Sequence, residues 1–255
     1  MSSKRHEVPI RKCVESLLHL NDCVKKKLIA IVGPTGSGKS DLAVKLAQVF
    51  PGEVISADSQ QLYKFLDIGT AKNNLIERVG VPHHLIDIIS PDQDYNLADY
   101  QQMVYQLIIQ VQSQNKTPYL VGGTGLYVWS VLEGWQVPRV PPNWELRRTL
   151  EELAKTEGAA VLHRQLETLD AAAAERIDSR NIRRVIRALE IKLSNLDKSG
   201  ASQSKQPPPY HMLVIGLTTD RQALYERIDL RVDKMLEKGL VDEVSSILNR
   251  GYAPD

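Results

Sequence analysis

The chain has 255 residues, 42% of them hydrophobic and 25% charged, with a formal net charge of +1. That balance excludes a chain disordered throughout and describes a globular protein with one sizeable core; a nucleic-acid partner would have to be held by a local basic patch, not by the field of the whole molecule. No apolar run approaches the ~20 residues that span a bilayer, and no secretory segment opens the chain, so a cytoplasmic protein without membrane association is expected.

Residues 1–26 carry Lys4, Arg5, Arg11, Lys12, Lys25 and Lys26 around a short apolar piece and are expected to form a disordered or loosely helical basic leader. Glu7, Glu15 and Asp22 are out of place in an organelle-targeting peptide. Cys13 and Cys23 lack metal-type spacing and read as free thiols.

An apolar run over 28–32 then leads into Gly33-Pro34-Thr35-Gly36-Ser37-Gly38-Lys39-Ser40, with helical periodicity over 42–49. Strand before and helix after make this a P-loop. Its small residues let backbone N–H groups turn inward around a phosphate at the positive end of a helix. Lys39 adds a point charge, and the Ser40 hydroxyl is the candidate Mg²⁺ ligand. The loop fits ATP, GTP or a bare diphosphate equally well.

A buried strand over 54–57 ends at Asp58-Ser59-Gln60-Gln61, at the sheet edge where α/β proteins bind ligands. Asp58 is a candidate base or a partner of Mg²⁺. The polar segment 67–72 can bring Thr70 and Lys72 to an anion. His83 and His84 precede a predicted strand over 85–89 and point to opposite faces, which argues against a shared metal. Asn96 can cap a predicted helix over 97–114 with Met103, Leu107 and Val111 on one stripe. The strand over 118–121 ends in Gly122-Gly123-Thr124-Gly125, not in the acid of a Walker B strand, and Asn115-Lys116-Thr117-Pro118 does not match the guanine-reading N-K-x-D.

Proline clusters bracket a segment with only helical periodicity, so residues 136–206 are read as an inserted helical subdomain and residues 27–135 with 207–255 as the core. Within the insertion Arg180, Arg183, Arg184 and Arg187 fall on one helical face, with Ile182, Val185, Ile186 and Leu189 opposite. Arginine without lysine favours phosphate and base contact over a merely solvated face. A strand over 211–217 and helices over 221–236 and 240–249 close the chain, and Arg227 and Arg231, one turn apart, are placed to close over phosphates, Arg227 being the candidate diphosphate contact. The expected fold is α/β: a P-loop, kinase-like parallel sheet with helices on both faces and an all-helical insertion.

The P-loop together with Ser56-Ala57-Asp58-Ser59-Gln60-Gln61-Leu62-Tyr63, Asp67-Ile68-Gly69-Thr70-Ala71-Lys72, His83-His84-Leu85-Ile86-Asp87 and Gly122-Gly123-Thr124-Gly125-Leu126-Tyr127 resembles the tRNA dimethylallyltransferases, the IPP transferase family, over residues 28–255. The resemblance implies transfer of a dimethylallyl group from its diphosphate to N6 of the adenosine 3′ of the tRNA anticodon, with Mg²⁺, by a monomer whose insertion grips the anticodon stem-loop. It implies Asp58 as general base and Thr124 beside it. Ser59, Gln60 and Gln61 would lie near the target base, and Gly33 to Ser40 would hold the diphosphate. Arg147, Arg183, Arg184, Val185, Ile186 and Arg187 match positions that contact tRNA.

Asn73 stands where the family usually has proline. Family members continue past Asp255 with further tRNA-holding residues, so the chain is read as a fragment. The competing readings are a P-loop small-molecule or nucleotide kinase, a prenyltransferase acting on free AMP or ADP, and an NTP-dependent RNA binder without catalysis.

Overall fold

The computed structural model describes residues 9–18, 26–194, 205–206, 208 and 210–253. The chain divides into two compact units, Met1–Trp135 with Gln206–Asp255, and Gln136–Lys205. In chain order the first unit holds α1 (Ile10–Leu18), β1 (Lys26–Val32), α2 (Lys39–Val49), β2 (Gly52–Ser56), α3 (Leu75–Arg78), β3 (His83–His84), α4 (Leu97–Ser113), β4 (Thr117–Gly122) and α5 (Gly125–Leu132). The second unit inserts α6 (Trp144–Glu157), α7 (Ala159–Leu169), α8 (Ala171–Arg176) and α9 (Ile182–Leu193). The first unit then resumes with β5 (Tyr210–Gly216), α10 (Arg221–Glu237) and α11 (Leu240–Asn249).

The five strands form one sheet in the order β3-β2-β4-β1-β5, every pair parallel. Parallel strands are covered on both faces, which is why β2 and β4 are wholly buried, Glu53, Ser56 and Thr117 included. Successive side chains alternate between faces. Leu28, Ala30, Ile55 and Leu120 pack with Tyr100, Val104 and Ile108 of α4 and Val128 and Val131 of α5. Ile29, Ile31, Val54, Tyr119 and Val121 pack with Ala43, Val44, Leu46 and Ala47 of α2.

Of the two readings of the leader the helical one holds over Ile10–Leu18, where α1 buries Val14 and Leu17 in the α2-side core and leaves Cys13 a half-buried free thiol. Its remaining basic residues outside 9–18 and 26, and Cys23, lie outside the described residues. Two expectations are corrected in this unit. The buried stripe of α4 is Tyr100, Val104, Ile108 and Val111, while Met103 is 40% exposed. The periodicity is right and the phase one residue off, because Tyr100 anchors the helix by donating from its hydroxyl to Ser56 O at 3.0 Å. The strand expected over 85–89 is instead His83–His84, paired with Val54 and Ile55. Leu85 and Asp87 adopt φ of 60° and 59°, a left-handed backbone that no strand continues through.

The second unit surrounds its own core of Leu150, Ala154, Leu162, Leu166, Ala174, Val185, Ile186 and Leu189. Its helix starts are fixed by short polar side chains: Asn143 accepts from Leu146 N–H, Asp170 from Ala173 N–H and Asn181 from Arg184 N–H. Glu190 sits 1% exposed on the inner side of α9 and is the polar centre of this unit. Its Oε1 accepts from Arg147 Nε at 2.9 Å and from Asn143 N–H at 2.6 Å, its Oε2 from Arg147 Nη2 at 2.8 Å, and Arg187 Nη1 adds an ion pair. Burial alone would raise the Glu190 pKa, but Arg147, the Asn143 N–H and Arg187 together hold it down at about 2.

A carboxyl depressed in the folded state contributes stability above its ordinary pKa and loses it as pH falls through the folded value. The Glu190 contribution should therefore be complete above pH 4.5 and vanish toward pH 2. Glu190→Gln should remove that acid-dependent component and, by leaving Arg147 and Arg187 without their counter-ion, cost about 3 kcal/mol at neutral pH, the low end for a broken buried pair because both arginines reach solvent. Urea titrations of both proteins from pH 7 to pH 2 measure the difference.

Candidate active site

The P-loop bridges β1 and α2. Gly36 and Gly38 hold φ of 78° and 85°, where a side chain is strained. Gly38 is the N-cap of α2 and provides no side-chain acceptor, so the N–H groups of the first turn are left to a ligand. Lys39 Nζ donates to Pro34 O at 2.7 Å, folding its charge over the loop. Its pKa is lowered, chiefly by burial; Asp58 opposes the shift and Arg231 adds to it. Ser37 Oγ is buried without a hydrogen-bond partner, a polar atom aimed into the loop.

Asp58 and Thr124 come together because β2 and β4 are neighbours that end at the same edge. Ala57 N–H donates to Val121 O at 2.7 Å and Thr124 N–H to Ala57 O at 3.2 Å, continuing the ladder past both strands. A β-carbon on Gly122 would lie 2.1 Å from Ala57 O, so the approach requires glycine there. Across this junction Ser59 N–H donates to Thr124 Oγ1 at 3.1 Å, and the Thr124 hydroxyl lies 3.4 Å from Ser59 Oγ. Asp58 Oδ1 accepts from Gln60 N–H at 2.9 Å, which fixes the carboxylate.

The loop after β2 closes the other side. Glu243 of α11 accepts from three consecutive backbone N–H groups, Asp67 at 2.8 Å, Ile68 at 2.7 Å and Gly69 at 3.0 Å. Convergent N–H groups of this kind form an anion-binding nest, and here the anion is a protein carboxylate. Phe65, at φ 69°, is covered by the Arg250 guanidinium 4.3 Å from its ring centroid. Lys72 is 4% exposed and spent on Asp67 and Asp87, at 2.9 and 2.6 Å, while the Thr70 hydroxyl donates to Leu66 O. Segment 67–72 is therefore built around its own ion pairs and does not hold Lys72 ready for a ligand.

Together these elements enclose a cavity of about 740 Å³ whose walls include Gly33, Pro34 and Thr35, Asp58 to Gln60, Thr70, Gly123 and Thr124, and Arg231 and Glu243. Such a volume suits a small-molecule site. Among the described residues no group of three His, Cys, Asp or Glu side chains could hold a metal. The Ser40 hydroxyl, at the start of α2, fits Mg²⁺, which commonly takes one or two protein oxygens and completes its shell with phosphates and water. No helix among the described residues is long and apolar enough to cross a membrane.

The IPP transferase family model matches residues 61–255, and an isopentenyl transferase model matches residues 26–86. The chain belongs to the IPP transferase family. It is 50% identical over 225 residues to a tRNA dimethylallyltransferase of Roseiflexus sp., covering 88% of this chain and 74% of the relative. The full-length tRNA isopentenylpyrophosphate transferase of Bacillus halodurans shares 44% identity at a TM-score of 0.62, covering 90% of this chain and 72% of that one. A eukaryotic dimethylallyltransferase acting on tRNA superposes at 0.75 with 31% identity, over 89% of this chain and 56% of that one.

Within this IPP transferase Gly33, Pro34 and Thr35 of the predicted P-loop share the cavity wall with Asp58, Ser59, Gln60 and Thr124, and Ser40 and Gln61 line a separate space of about 20 Å³ with Ser56, room for about one water. Gln61 is held there, accepting from the Ser56 hydroxyl at 3.0 Å. Arg227 is exposed with its β-carbon 3.9 Å from a β-carbon built on Gly36, whereas Arg231, one turn on, is the arginine in the cavity wall.

In the second unit Val185 and Ile186 are core residues, 1% and 4% exposed, so their side chains present nothing to tRNA; the stripe alternates too quickly for all five consecutive positions to face outward. Arg180 precedes α9 and pairs with Asp178 at 2.7 Å. Arg183 and Arg184 are exposed, while Arg147 and Arg187 are half-buried on Glu190. Sequence reasoning missed Glu243 altogether, since a surface glutamate on a helix carries no local sign of a distant backbone partner.

Replacing Glu243 with alanine should free the three amides it caps. Hydrogen bonds to a charged acceptor contribute about 1.5–3 kcal/mol, so amide exchange at Asp67, Ile68 and Gly69 should accelerate roughly 10- to 100-fold, measured residue by residue by NMR, while core strand amides keep their protection.

Proposed function

We propose that this chain is a tRNA dimethylallyltransferase that moves a dimethylallyl group from dimethylallyl diphosphate to N6 of the adenosine 3′ of the anticodon. The observation carrying this reading is the junction of Asp58 and Thr124 with the P-loop around one cavity. One side of that cavity suits a phosphate-bearing donor and the other carries a fixed carboxylate able to take a proton.

An N6 amine is a poor nucleophile whose proton must leave as the new C–N bond forms. Asp58, oriented by Gln60 N–H, is the group to accept it. Thr124 and Ser59, tied to each other, present hydroxyls beside that carboxylate to orient the base. As the C–O bond of the donor breaks, negative charge grows on the diphosphate, where the P-loop N–H groups, Lys39 and Arg231 meet it. Ser40 would hold Mg²⁺, which when bound neutralises the leaving diphosphate. The kinase reading is disfavoured because β4 ends in Gly122 and Gly123, without a Walker B acid. Exposed Arg183 and Arg184 support tRNA as the acceptor over free AMP.

Incubation with Mg²⁺, labelled dimethylallyl diphosphate or labelled ATP, and either tRNA or AMP separates the readings. Label should pass from dimethylallyl diphosphate to tRNA; transfer from ATP to a small acceptor would refute the proposal. Asp58→Asn keeps shape but cannot take the proton, so single-turnover rates should fall about 10²–10⁴-fold. That loss should persist across a Mg²⁺ series, and full rescue by excess metal would make Asp58 a metal ligand only. Lys39→Ala should weaken diphosphate binding by calorimetry while the melting temperature holds.

A further inference from the structure

Trp144, at the start of α6, is 58% exposed, an unusual position for the largest apolar side chain on a polar surface. It lines a groove of about 420 Å³ with Arg147, Arg148, Arg183 and Arg187, against which only Glu151 sets an opposite charge in the open. The Arg147 guanidinium lies over the indole, 4.9 Å from the ring centroid. Arg147 is itself locked by its two bonds to buried Glu190, so Glu190, Arg147 and Trp144 form a stack built from the core outward. One face of the indole is taken by a cation, and the ring also borders a second groove, with Pro141, Pro142 and Leu193. Arg148 and Arg183 are exposed on the same groove.

We infer that this groove is a stacking subsite for one unpaired nucleotide of an RNA loop, whose base lies on the exposed indole of Trp144 while its flanking phosphates meet Arg148 and Arg183. A pinned aromatic plane beside guanidinium groups matches a base and its phosphates, since every base offers a π-face and arginine binds phosphate bidentately. Only an unstacked nucleotide presents that face, which selects a loop and disfavours duplex. The stack on Arg147 draws charge toward the ring and rigidifies it before binding, so little freedom is lost on contact. An acidic peptide would satisfy the charges but leave the indole face unused.

This inference rests on the proposed tRNA reading, and the experiment keeps the two apart. Binding of an anticodon stem-loop to the full chain is measured by fluorescence anisotropy, and transfer kinetics are followed on the same RNA. Wild type, Trp144→Ala and Trp144→Phe are each tested against the intact loop and loops made abasic one position at a time. Trp144→Ala should weaken binding roughly 5- to 100-fold, the effect falling on KM for RNA more than on kcat, and Trp144→Phe should recover most of it. One abasic position should weaken wild type by a similar factor and leave Trp144→Ala no weaker than before. Unchanged affinity in Trp144→Ala, or equal loss at every abasic position, would overturn the subsite, as would loss of affinity for polyglutamate with RNA binding intact. If wild type transfers nothing to any tRNA, the proposed function fails, while a Trp144-dependent affinity confined to one loop position still supports the subsite.

Discussion

The carbonyl of Ala57 occupies the space where residue 122 would carry a β-carbon. Everything at the catalytic edge follows from that contact. Because residue 122 is glycine, β4 can run beside β2 to its last residue, and the ladder continues into the turns that follow. Asp58 and Thr124, 66 positions apart in sequence, then emerge side by side, and Ser59 N–H is satisfied by the Thr124 hydroxyl. Any larger residue at 122 would force the strand ends apart and separate the carboxylate from the hydroxyls that flank it. The glycine thus acts by permitting a backbone approach that the chemistry needs.

Around this junction the molecule uses carboxylates to fix cations and loops. Glu243 gathers three N–H groups of the loop after β2 and holds that loop at the cavity wall, where Thr70 and Glu243 itself are exposed to it. Glu190 does the corresponding work in the second unit, binding Arg147 and Arg187 from a buried position. In each case the carboxylate is committed to several donors. Asp58 differs: it is held by a single neighbouring N–H in the wall of the cavity, which is where a base is useful. Three carboxylates of similar intrinsic acidity are divided by what surrounds them into two anchors and one, Asp58, held by a single N–H at the cavity.

Much of this was legible in the sequence, and the limits have a physical pattern. The P-loop, the strand ending at Asp58 and the glycine turn at 122–125 are local features, each set by a few contiguous residues, and each stands where expected. The phase of α4, the short β3 and the docked α1 depend on what packs against them, so periodicity alone placed them a residue off, too long or without their docking. The arginine stripe illustrates the same boundary. Its spacing correctly separated buried from exposed positions, yet it could not show that Arg187 and Arg147 share Glu190, or that Arg180 lies before the helix begins. Arg231 and Arg227 are equivalent in sequence, and only the direction of α10 decides that Arg231 reaches the cavity.

The replacement of a Walker B acid by Gly122-Gly123-Thr124 gives the P-loop its particular use here. In a nucleotide hydrolase a second acid near the loop polarises water or holds metal at a terminal phosphate. At the end of β4 this chain has no carboxylate to repel the leaving diphosphate, and a β-carbon on Gly123 would stand only 3.9 Å from Lys39 Nζ, so the lysine and the glycine turn lie close together. The acid Asp58 stands one strand over from β4, just after the end of β2, where its charge opposes the lowering of the Lys39 pKa by burial. With β4 between them, the acid after β2 stands two strand spacings, about 10 Å, from the phosphate cradle after β1, so under the proposed reaction one end of the cavity would meet growing negative charge while the other takes a proton. The same loop that elsewhere activates a phosphate for attack can thereby hold it as a leaving group.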